Sequence, residues 1–466
     1  MNEYDLIIIG GGAGAFAAAI KANELGAKTA LVNAGLPVGG TCVNVGCVPS
    51  KTLLKIGEIA YYSGHGFKSI NGKLTVDFEK AIEEELELVD KMRHDKYVEV
   101  LSNLKNVTHF EGKATFVSKT EIEVNGQKLY GEKFVIATGS TALPAPLEGL
   151  ERVSYITHID ALKLKKLPKS MVVIGAGPLG LEFGQMYHHF GTKVTILQKG
   201  PAVMPRTEPE LSQALQKYLE DEGIAIFINA DSKALRKENG EVVVSFEVDG
   251  KPQEVRGEVL MFASGKTPNT KDLDLEKAGV KVNEKRAIKV NDELQTSATH
   301  VFAAGDVTDK PLRLETTAGK EGNIATENAL KGTHRKMDYS AVPYAVFTTP
   351  NLAGVGKTDE EAINAGFSCT CNTFPFEYVP KASIIHDTRG LVKIVADNKT
   401  HQVYGIHILG PEAADLVHEA VMIVKNKMTL EDVIDTVHVF PTLSESTKLA
   451  AQNFFKDVAK LSCCIE

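Results

Sequence analysis

A short apolar strand, a glycine-rich turn and a helix follow one another at two places in this chain, and this repeated unit constrains the fold most. The first unit is a strand at 4–9 followed by Gly-Gly-Gly-Ala-Gly-Ala, and the second is a strand at 170–174 followed by Gly-Ala-Gly-Pro-Leu-Gly. Such glycines let the backbone approach a pyrophosphate that sits on the helix N-terminus. We therefore predict an α/β fold with two dinucleotide sites, built on Gly10, Gly12, Gly14 and Ala15 and on Gly175, Gly177 and Gly180.

The residues after the second strand of each unit indicate which dinucleotide is bound. Asn33 stands where an acidic residue usually holds the ribose hydroxyls, and it can still form a hydrogen bond there without charge assistance. In the second unit the corresponding residues are Gln198 and Lys199, with Arg206 beyond them. An acid would select the free 2′-hydroxyl of NAD, so these residues favour the 2′-phosphate of NADPH. The alternative is that Lys199 and Arg206 are ordinary surface charges.

Two cysteines, Cys42 and Cys47, lie in a segment rich in glycine and valine that ends in Pro-Ser-Lys. The residues from Thr52 onward are typical of a helix, so we expect the pair at or just before a helix N-terminus, where a thiolate is stabilised. A thiolate beside a second thiol is suited to dithiol–disulfide exchange. A structural disulfide or half of a zinc site are the alternatives, although no second close Cys/His pair lies nearby.

The composition excludes several classes of protein. A chain of 466 residues is too long for one core, and two to four domains are expected. The net charge of -8 and the absence of a long basic run argue against a nucleic-acid partner. No apolar stretch reaches about 18 residues, so no membrane span is expected. The first strand begins almost at once, which leaves no room for a signal peptide, so we expect a cytoplasmic protein.

The six cysteines form three close pairs, which indicates redox or metal chemistry: Cys42/Cys47, Cys369/Cys371 and Cys463/Cys464.

The remaining segments suggest how the domains are arranged. A charged helical run at 77–104 is expected to be a solvated or coiled face without chemistry. Strands run into small-residue turns before Thr138 and Gly139, before Gly265 and before Asp306. From 341 onward alternating antiparallel strands precede two helical runs, which is typical of an α+β domain. We predict an FAD-binding domain at 1–150, an NAD(P)H-binding domain at 151–270, a return segment at 271–338 and an α+β dimerisation domain at 339–466.

The order of these motifs resembles the pyridine nucleotide–disulfide oxidoreductase family over essentially the whole chain, and Cys-Val-Asn-Val-Gly-Cys-Val-Pro-Ser-Lys is its most specific motif. The resemblance implies that Cys47 lies against the flavin, that Cys42 is the interchange thiol, and that Lys51 pairs with Glu182. It also implies a homodimer in which the C-terminal domain of one subunit completes the active site of the other. The further cofactor residues that it implies are Gly40, Thr41, Lys51, Ala114, Thr138, Gly139, Asp306 and Leu314 for FAD, and Glu182 and Gly265 for NADPH.

The stretch His-Val-Phe-Pro-Thr narrows the choice within the family. Dihydrolipoamide dehydrogenases and glutathione reductases carry a histidine immediately before Pro-Thr as general acid/base, and here that position is Phe440. His438 is two residues early, so on an extended segment it is displaced by about 7 Å. Loss of the base should slow reduction of a disulfide about 10²–10⁴-fold. A metal ion that takes two electrons needs no such proton, so we expect a metal substrate, and the alternative is that His438 has taken over the role.

The last residues support a metal substrate. Cys463 and Cys464 are adjacent thiols that suit a soft cation, and the C-terminal segment resembles the mercury-reducing members of the family. Those members carry a tyrosine where this chain has Phe440. We expect NADPH-dependent reduction of Hg(II) to Hg(0), with the metal captured by Cys463 and Cys464 of one subunit and passed to Cys42 and Cys47 of the other.

Two alternatives of function and one further thiol pair remain. The chain could be a dihydrolipoamide dehydrogenase-like enzyme that uses His438, or a thiol-rich flavoprotein that sequesters metal without turnover. Cys369 and Cys371 lie two apart, so on a strand both face one side. We expect them to be small strand residues rather than an auxiliary thiol site.

Overall fold

The computed structural model describes residues 2–65, 67 and 69–458. The strands are β1 (Asn2–Ile9), β2 (Thr29–Asn33), β3 (Val107–Glu111), β4 (Ala114–Phe116), β5 (Glu121–Val124), β6 (Gln127–Ile136), β7 (Ser140–Ala142), β8 (Ser170–Ile174), β9 (Lys193–Leu197), β10 (Ala225–Phe227), β11 (Asp231–Glu238), β12 (Glu241–Val248), β13 (Lys251–Gly257), β14 (Val259–Phe262), β15 (Lys266–Pro268), β16 (Val301–Ala303), β17 (Tyr344–Val346), β18 (Asn351–Gly356), β19 (Cys369–Pro375), β20 (Leu391–Asp397) and β21 (Val403–Gly410).

The α-helices are α1 (Ala13–Glu24), α2 (Gly40–Val45), α3 (Cys47–Ser63), α4 (Phe78–Arg93), α5 (Glu99–Asn103), α6 (His158–Ala161), α7 (Pro178–Phe190), α8 (Pro209–Glu222), α9 (Glu315–Lys331), α10 (Asp359–Asn364), α11 (Pro380–Ile384), α12 (Ala413–Lys425), α13 (Leu430–Asp435) and α14 (Glu445–Gln452). A π-helical turn at His94–Val98 joins α4 to α5.

Two compact units make up the chain, and the first consists of residues 1–52, 82–144 and 265–338. Its sheet has the order β3-β2-β1-β6-β5-β4, with β16 joined to β6. β1 runs parallel to β2, to which it is connected through the helix α1, and it also runs parallel to β6. Leu6, Ile7 and Ile8 are fully buried, as expected for a parallel strand that is covered on both faces.

Helices α1 and α9 pack closely in this first unit because two glycines meet where they cross. A Cβ atom at Gly322 would lie 2.1 Å from Gly14 O, and one at Gly14 would lie 3.2 Å from Ala318 O. Larger residues would push the helices apart. The glycines therefore fix the position of the N-terminus of α1, which follows the first glycine turn.

The second unit consists of residues 53–81, 145–264 and 339–466, of which the structure describes the chain as far as 458. Its first sheet is parallel, in the order β10-β9-β8-β14, and the antiparallel β11-β12-β13 follows. Its C-terminal sheet is antiparallel, in the order β17-β18-β21-β20-β19. Apolar residues of this sheet, such as Ile394 and Ile408, form a core with Val417 and Ala420 of α12.

These observations confirm the predicted α/β fold with two Rossmann-like units and a C-terminal α+β part. The chain passes between the compact units near residues 144, 264 and 338, and residues 53–81 group with the second unit. The division into domains at 150, 270 and 338 stays a prediction. Among the described helices, none combines the length and the apolar character that crossing a bilayer requires.

Candidate active site

The first glycine turn forms a cradle at the end of β1. Gly10 has a φ of 137°, and a Cβ atom there would lie 2.2 Å from Ala137 O, so only glycine fits. Gly12 caps α1 without a side-chain hydrogen bond, and the first turn of α1 carries no acid. The free N–H groups at this helix N-terminus suit a pyrophosphate. The described residues therefore fit an FAD pyrophosphate.

Asn33 lies at the end of β2 and packs against this turn. Its side chain is buried, and Nδ2 donates a hydrogen bond to Leu36 O at 3.0 Å. A Cβ atom at Gly11 would lie 2.1 Å from Asn33 Oδ1, so the amide occupies the space beside the glycine. Its contact with an FAD ribose stays a prediction.

The carboxyl ends of β6 and β16 bring another group of expected FAD residues together. The Ser140 hydroxyl donates to Asp306 Oδ2 at 2.7 Å, and the Thr138 hydroxyl donates to Asn269 O at 2.8 Å. Asn269 N in turn donates to Gly139 O at 3.0 Å. The other expected FAD residues lie at the start of α2 (Gly40 and Thr41), in α3 (Lys51), in β4 (Ala114) and immediately before α9 (Leu314). Their roles toward FAD stay predictions.

Cys42 and Cys47 lie on two successive helices, as Cys42 is inside the short α2 and Cys47 is the first residue of α3. The expected position of Cys47 at a helix N-terminus is confirmed, and α2 was not predicted. Cys42 donates a hydrogen bond to Glu315 Oε2, and Cys47 Sγ lies 3.8 Å from the same oxygen. One ligand atom from each of the three residues lies within 4.8 Å of the others, so the group could hold a metal ion.

The two thiols have opposite protonation tendencies. The hydrogen bond from Cys42 lowers the pKa of Cys47 below the usual range of a thiol, and the nearby Lys51 acts in the same direction. Hydrogen bonding with the Cys47 thiol, burial and the Glu315 carboxylate each raise the pKa of Cys42. In the reduced pair the thiolate is therefore favoured on Cys47 rather than on Cys42.

Sequence reasoning missed two residues near these thiols, Glu315 and Tyr97. The Tyr97 hydroxyl donates to Glu315 Oε1 at 3.4 Å, and its ring meets that of Phe16 edge to face at 4.9 Å. Tyr97 lies in the π-helical turn within the charged run that is expected to have no chemistry, and that expectation stays a prediction. Turns of this kind often occur at functional sites, but the sequence carries no clear signal for them.

The second glycine turn follows β8 and resembles the first. Gly175 has a φ of 112°, and a Cβ atom at Gly180 would lie 1.8 Å from Gly175 O. A Cβ atom at Gly177 would meet nothing within 4 Å, so the space beside it is open. Gln198 Oε1 accepts a hydrogen bond from Ala176 N at 3.0 Å, which ties the end of β9 to the turn.

The basic residues expected at an NADPH phosphate are both on the surface. Lys199 Nζ lies 3.0 Å from Asp231 Oδ1 in an exposed ion pair, and Arg206 is exposed. Asp231 begins β11, so an acid does lie near the end of β9, although it is distant in sequence. Glu182 is buried in α7 and accepts a hydrogen bond from Phe347 N at 2.8 Å. Gly265 follows β14 with a φ of 150°.

The C-terminal part carries Phe440 and His438, the two residues considered for the position before Pro-Thr. Phe440 precedes Pro441 and is 48% exposed. His438 Nε2 donates to Glu419 Oε1 at 2.7 Å and Nδ1 donates to Thr436 O at 3.0 Å. The Glu419 carboxylate raises the pKa of His438. Both nitrogens thus face oxygen acceptors of the same part of the chain.

Some of the expected site residues are not tested by this geometry. Cys463 and Cys464 lie outside the described residues. Lys51 and Glu182 belong to different compact units, so their pairing stays a prediction.

Comparisons with known proteins agree with this architecture. Residues 4–322 match the family described as pyridine nucleotide-disulphide oxidoreductase, and residues 342–451 match its dimerisation domain. The mercuric reductase of Lysinibacillus sphaericus is 40% identical over 99% of this chain and 85% of its own length. The dihydrolipoyl dehydrogenase of Thermus scotoductus is 38% identical over 98% of each chain.

A solved structure is similar as well. The HOCl-induced flavoprotein disulfide reductase RclA from Escherichia coli is 30% identical, with a TM-score of 0.86 over 96% of this chain and 99% of that chain. The chain therefore belongs to the pyridine nucleotide-disulphide oxidoreductase family, whose cofactors FAD and NAD(P)H it uses.

Proposed function

We propose that this chain reduces Hg(II) to Hg(0) with NADPH in the cytoplasm, as a mercury-detoxifying enzyme. FAD and NADPH, when bound, supply the two electrons. The balance is NADPH + Hg²⁺ → NADP⁺ + H⁺ + Hg(0), so no proton has to be delivered to the product. Relatives at 36–40% identity that bear the name mercuric reductase support this choice of substrate.

The observation that carries the proposal is that, among the residues the structure describes, a phenylalanine rather than a histidine stands directly before Pro441. Phe440 cannot exchange a proton, and His438 is held by Glu419. Reduction of a disulfide releases a thiolate that must be protonated, whereas reduction of a metal ion does not. The described residues thus favour a metal substrate over an organic disulfide.

Cys42 and Cys47 would hold Hg(II) as a dithiolate. Cys47, whose pKa is lowered by hydrogen bonding with Cys42, would supply one of the two thiolate ligands. Cys42 then loses its proton to Glu315, the acceptor that it already contacts. After two electrons reach the metal, Hg(0) leaves and both sulfurs remain as thiolates.

We propose further that the chain acts as a homodimer, which its dimerisation domain supports. Cys463 and Cys464 of one subunit would take Hg(II) from small thiols and pass it to Cys42 and Cys47 of the other. Thiol-to-thiol exchange keeps two soft ligands on the metal at each stage. Verified heterodimers of a Cys42/Cys47 double variant and a Cys463/Cys464 double variant should regain activity, and no gain over the parent variants would exclude this arrangement.

The nicotinamide substrate is proposed to be NADPH. Gln198 and Lys199 follow β9, and neither is acidic. The ion pair with Asp231 competes for Lys199, so the preference for NADPH over NADH should be moderate.

The test is NADPH oxidation by the purified protein, with Hg(II) in excess thiol, lipoamide and oxidised glutathione offered separately. We expect turnover with Hg(II), and loss of that turnover without loss of FAD in Cys42→Ala and Cys47→Ala. A dihydrolipoyl dehydrogenase, which the relative at 38% identity represents, would instead turn over lipoamide. Binding of Hg(II) without NADPH oxidation would indicate a metal-sequestering flavoprotein and refute the proposal.

A further inference from the structure

A second pair of thiols lies on the C-terminal sheet. Cys369 begins β19 and Cys371 follows two residues later, so both side chains lie on the same face of the strand. Within the described part of the chain β19 pairs only with β20, which makes it an edge strand. Cys369 is half-buried and Cys371 is exposed, so a solute can reach both.

One carboxylate contacts both thiols. Cys369 donates to Asp359 Oδ1 at 3.3 Å, and Cys371 donates to Asp359 Oδ2 at 3.6 Å. Asp359 forms no ion pair with any of the residues that the structure describes. The three groups therefore make a cluster of two sulfurs and one carboxylate, a donor set that attracts a cation.

The nearby cation is already neutralised. Lys393 lies on β20, and it is buried between Glu208 at 2.9 Å and Glu210 at 2.9 Å. Thr373 is its partner in the β19–β20 register, so Lys393 shares the face of the sheet that carries the two thiols. Its charge is matched by these two carboxylates, and it forms no ion pair with Asp359.

A disulfide does not fit this geometry. Residues two apart on a strand have Cα atoms about 6.6 Å apart and side chains that stand parallel. A disulfide requires Cβ atoms about 3.8 Å apart, so closing one would distort the strand. Cys369 and Cys371 are free thiols in the structure, and two thiols beside a carboxylate are suited to the coordination of a soft cation.

The arrangement favours a soft cation with few ligands. Zinc prefers four ligands, and this cluster offers three side chains. The cluster is also more open than that of Cys42, Cys47 and Glu315, whose ligand atoms all lie within 4.8 Å of one another. Thiolates select soft cations, and a cation that accepts two sulfurs in line needs only Cys369 and Cys371.

We propose that Cys369 and Cys371, positioned by Asp359, form a second binding site for a soft thiophilic cation of the Hg(II) class, separate from the redox pair. When the cation arrives as a complex with two small thiols, two sulfur–metal bonds break and two form. The two cysteine protons pass to the departing thiolates, and nothing is oxidised or reduced. The site binds without NADPH, so its existence does not depend on turnover.

The experiment isolates this pair in the full-length flavoprotein. Cys42, Cys47, Cys463 and Cys464 are replaced by alanine, and the protein is dialysed without NADPH against mercuric chloride in an excess of a monothiol. We expect about one Hg(II) per chain to be retained, and a more than tenfold loss of affinity on further Cys369→Ser or Cys371→Ser replacement. A tenfold excess of Zn(II) should not displace the mercury.

Thr370→Ala is the matched control, because Thr370 lies between the cysteines on the opposite face of β19 and should leave retention unchanged. If the quadruple variant does not fold, the same Hg(II) retention is measured on the unmodified protein, which has six cysteines, and on a variant that lacks only Cys369 and Cys371. There the Cys369→Ser/Cys371→Ser variant should retain one Hg(II) fewer than the unmodified protein and keep its NADPH-dependent turnover. Equal retention by these two proteins, or no retention in a folded quadruple variant, would overturn the proposal.

Discussion

Gly177→Ala should weaken NADPH binding while leaving the fold intact. Gly177 is the N-cap of α7, with a φ of -81° and a ψ of -173°, which alanine adopts without strain. A Cβ atom there meets nothing within 4 Å in the protein. Glycine is somewhat better than alanine at an N-cap, but alanine lowers the entropy of the unfolded chain, so the two effects on stability offset each other.

The open space beside Gly177 is the space that a pyrophosphate needs. An added methyl group in a close contact costs about 1–3 kcal/mol. At 1.36 kcal/mol for each factor of ten, the KM for NADPH should rise about 5- to 150-fold. Stopped-flow reduction of the flavin at varied NADPH measures this directly, and reduction by dithionite, which needs no nucleotide site, should be unchanged.

Gly180→Ala is the comparison that separates binding from folding. Its Cβ atom would lie 1.8 Å from Gly175 O, so the turn itself must shift. This variant should lose both NADPH affinity and thermal stability, whereas Gly177→Ala should keep its Tm. An unchanged KM for NADPH in Gly177→Ala would refute the assignment of this turn as the pyrophosphate cradle.

Three further predictions concern side chains that contact a carboxylate. Asp231→Asn frees Lys199, so the ratio of kcat/KM for NADPH to that for NADH should rise a few-fold, since exposed ion pairs are weak, and a fall would contradict the NADPH proposal. Glu419→Gln removes the partner that raises the pKa of His438. Because the pKa of His438 is higher in the folded than in the unfolded protein, its protonation stabilises the fold. The stabilisation is complete below about pH 6.5, the pKa in the unfolded chain, and it is lost as the pH rises through the pKa in the folded protein. The Tm difference between the two proteins should therefore be largest in acid, and a difference that grows in alkali would exclude this role. Glu315→Gln removes an anion that raises the pKa of Cys42, so iodoacetamide should alkylate Cys42 of the reduced protein faster near neutral pH, and an equal or slower rate would count against the contact.

The sequence predicts features that are local in the chain. Each glycine turn, with its strand and helix, is encoded within about 30 residues, and the helix N-terminus at Cys47 follows from adjacent residues. Long-range contacts are different. Glu315 reaches Cys42 across 273 positions, and the pairing of Lys199 with Asp231 depends on the path of β11. Such contacts are fixed by tertiary packing, which no local pattern specifies.

At Phe440 and His438, one feature can be predicted from the sequence and another cannot. The missing histidine before Pro-Thr is visible in the sequence. The partner that holds His438, Glu419, lies on α12 and becomes visible only in the folded chain. The contacts of Tyr97 are even harder to predict from the sequence, because the charged residues around it indicate a regular helix.

The π-helical turn at His94–Val98 sets the rotational phase of the residues that follow it. A π-turn has one residue more than the regular turn that it replaces, and one residue corresponds to about 100° of rotation around a helix axis. Deleting a single residue here would let α4 and α5 run on as one regular helix. The side chains on one side of the deletion would turn by about 100° relative to those on the other, and Tyr97 would leave Phe16 and Glu315. The surroundings of the two thiols therefore depend on the exact number of residues in this segment. That number matters as much as the identity of any side chain in it.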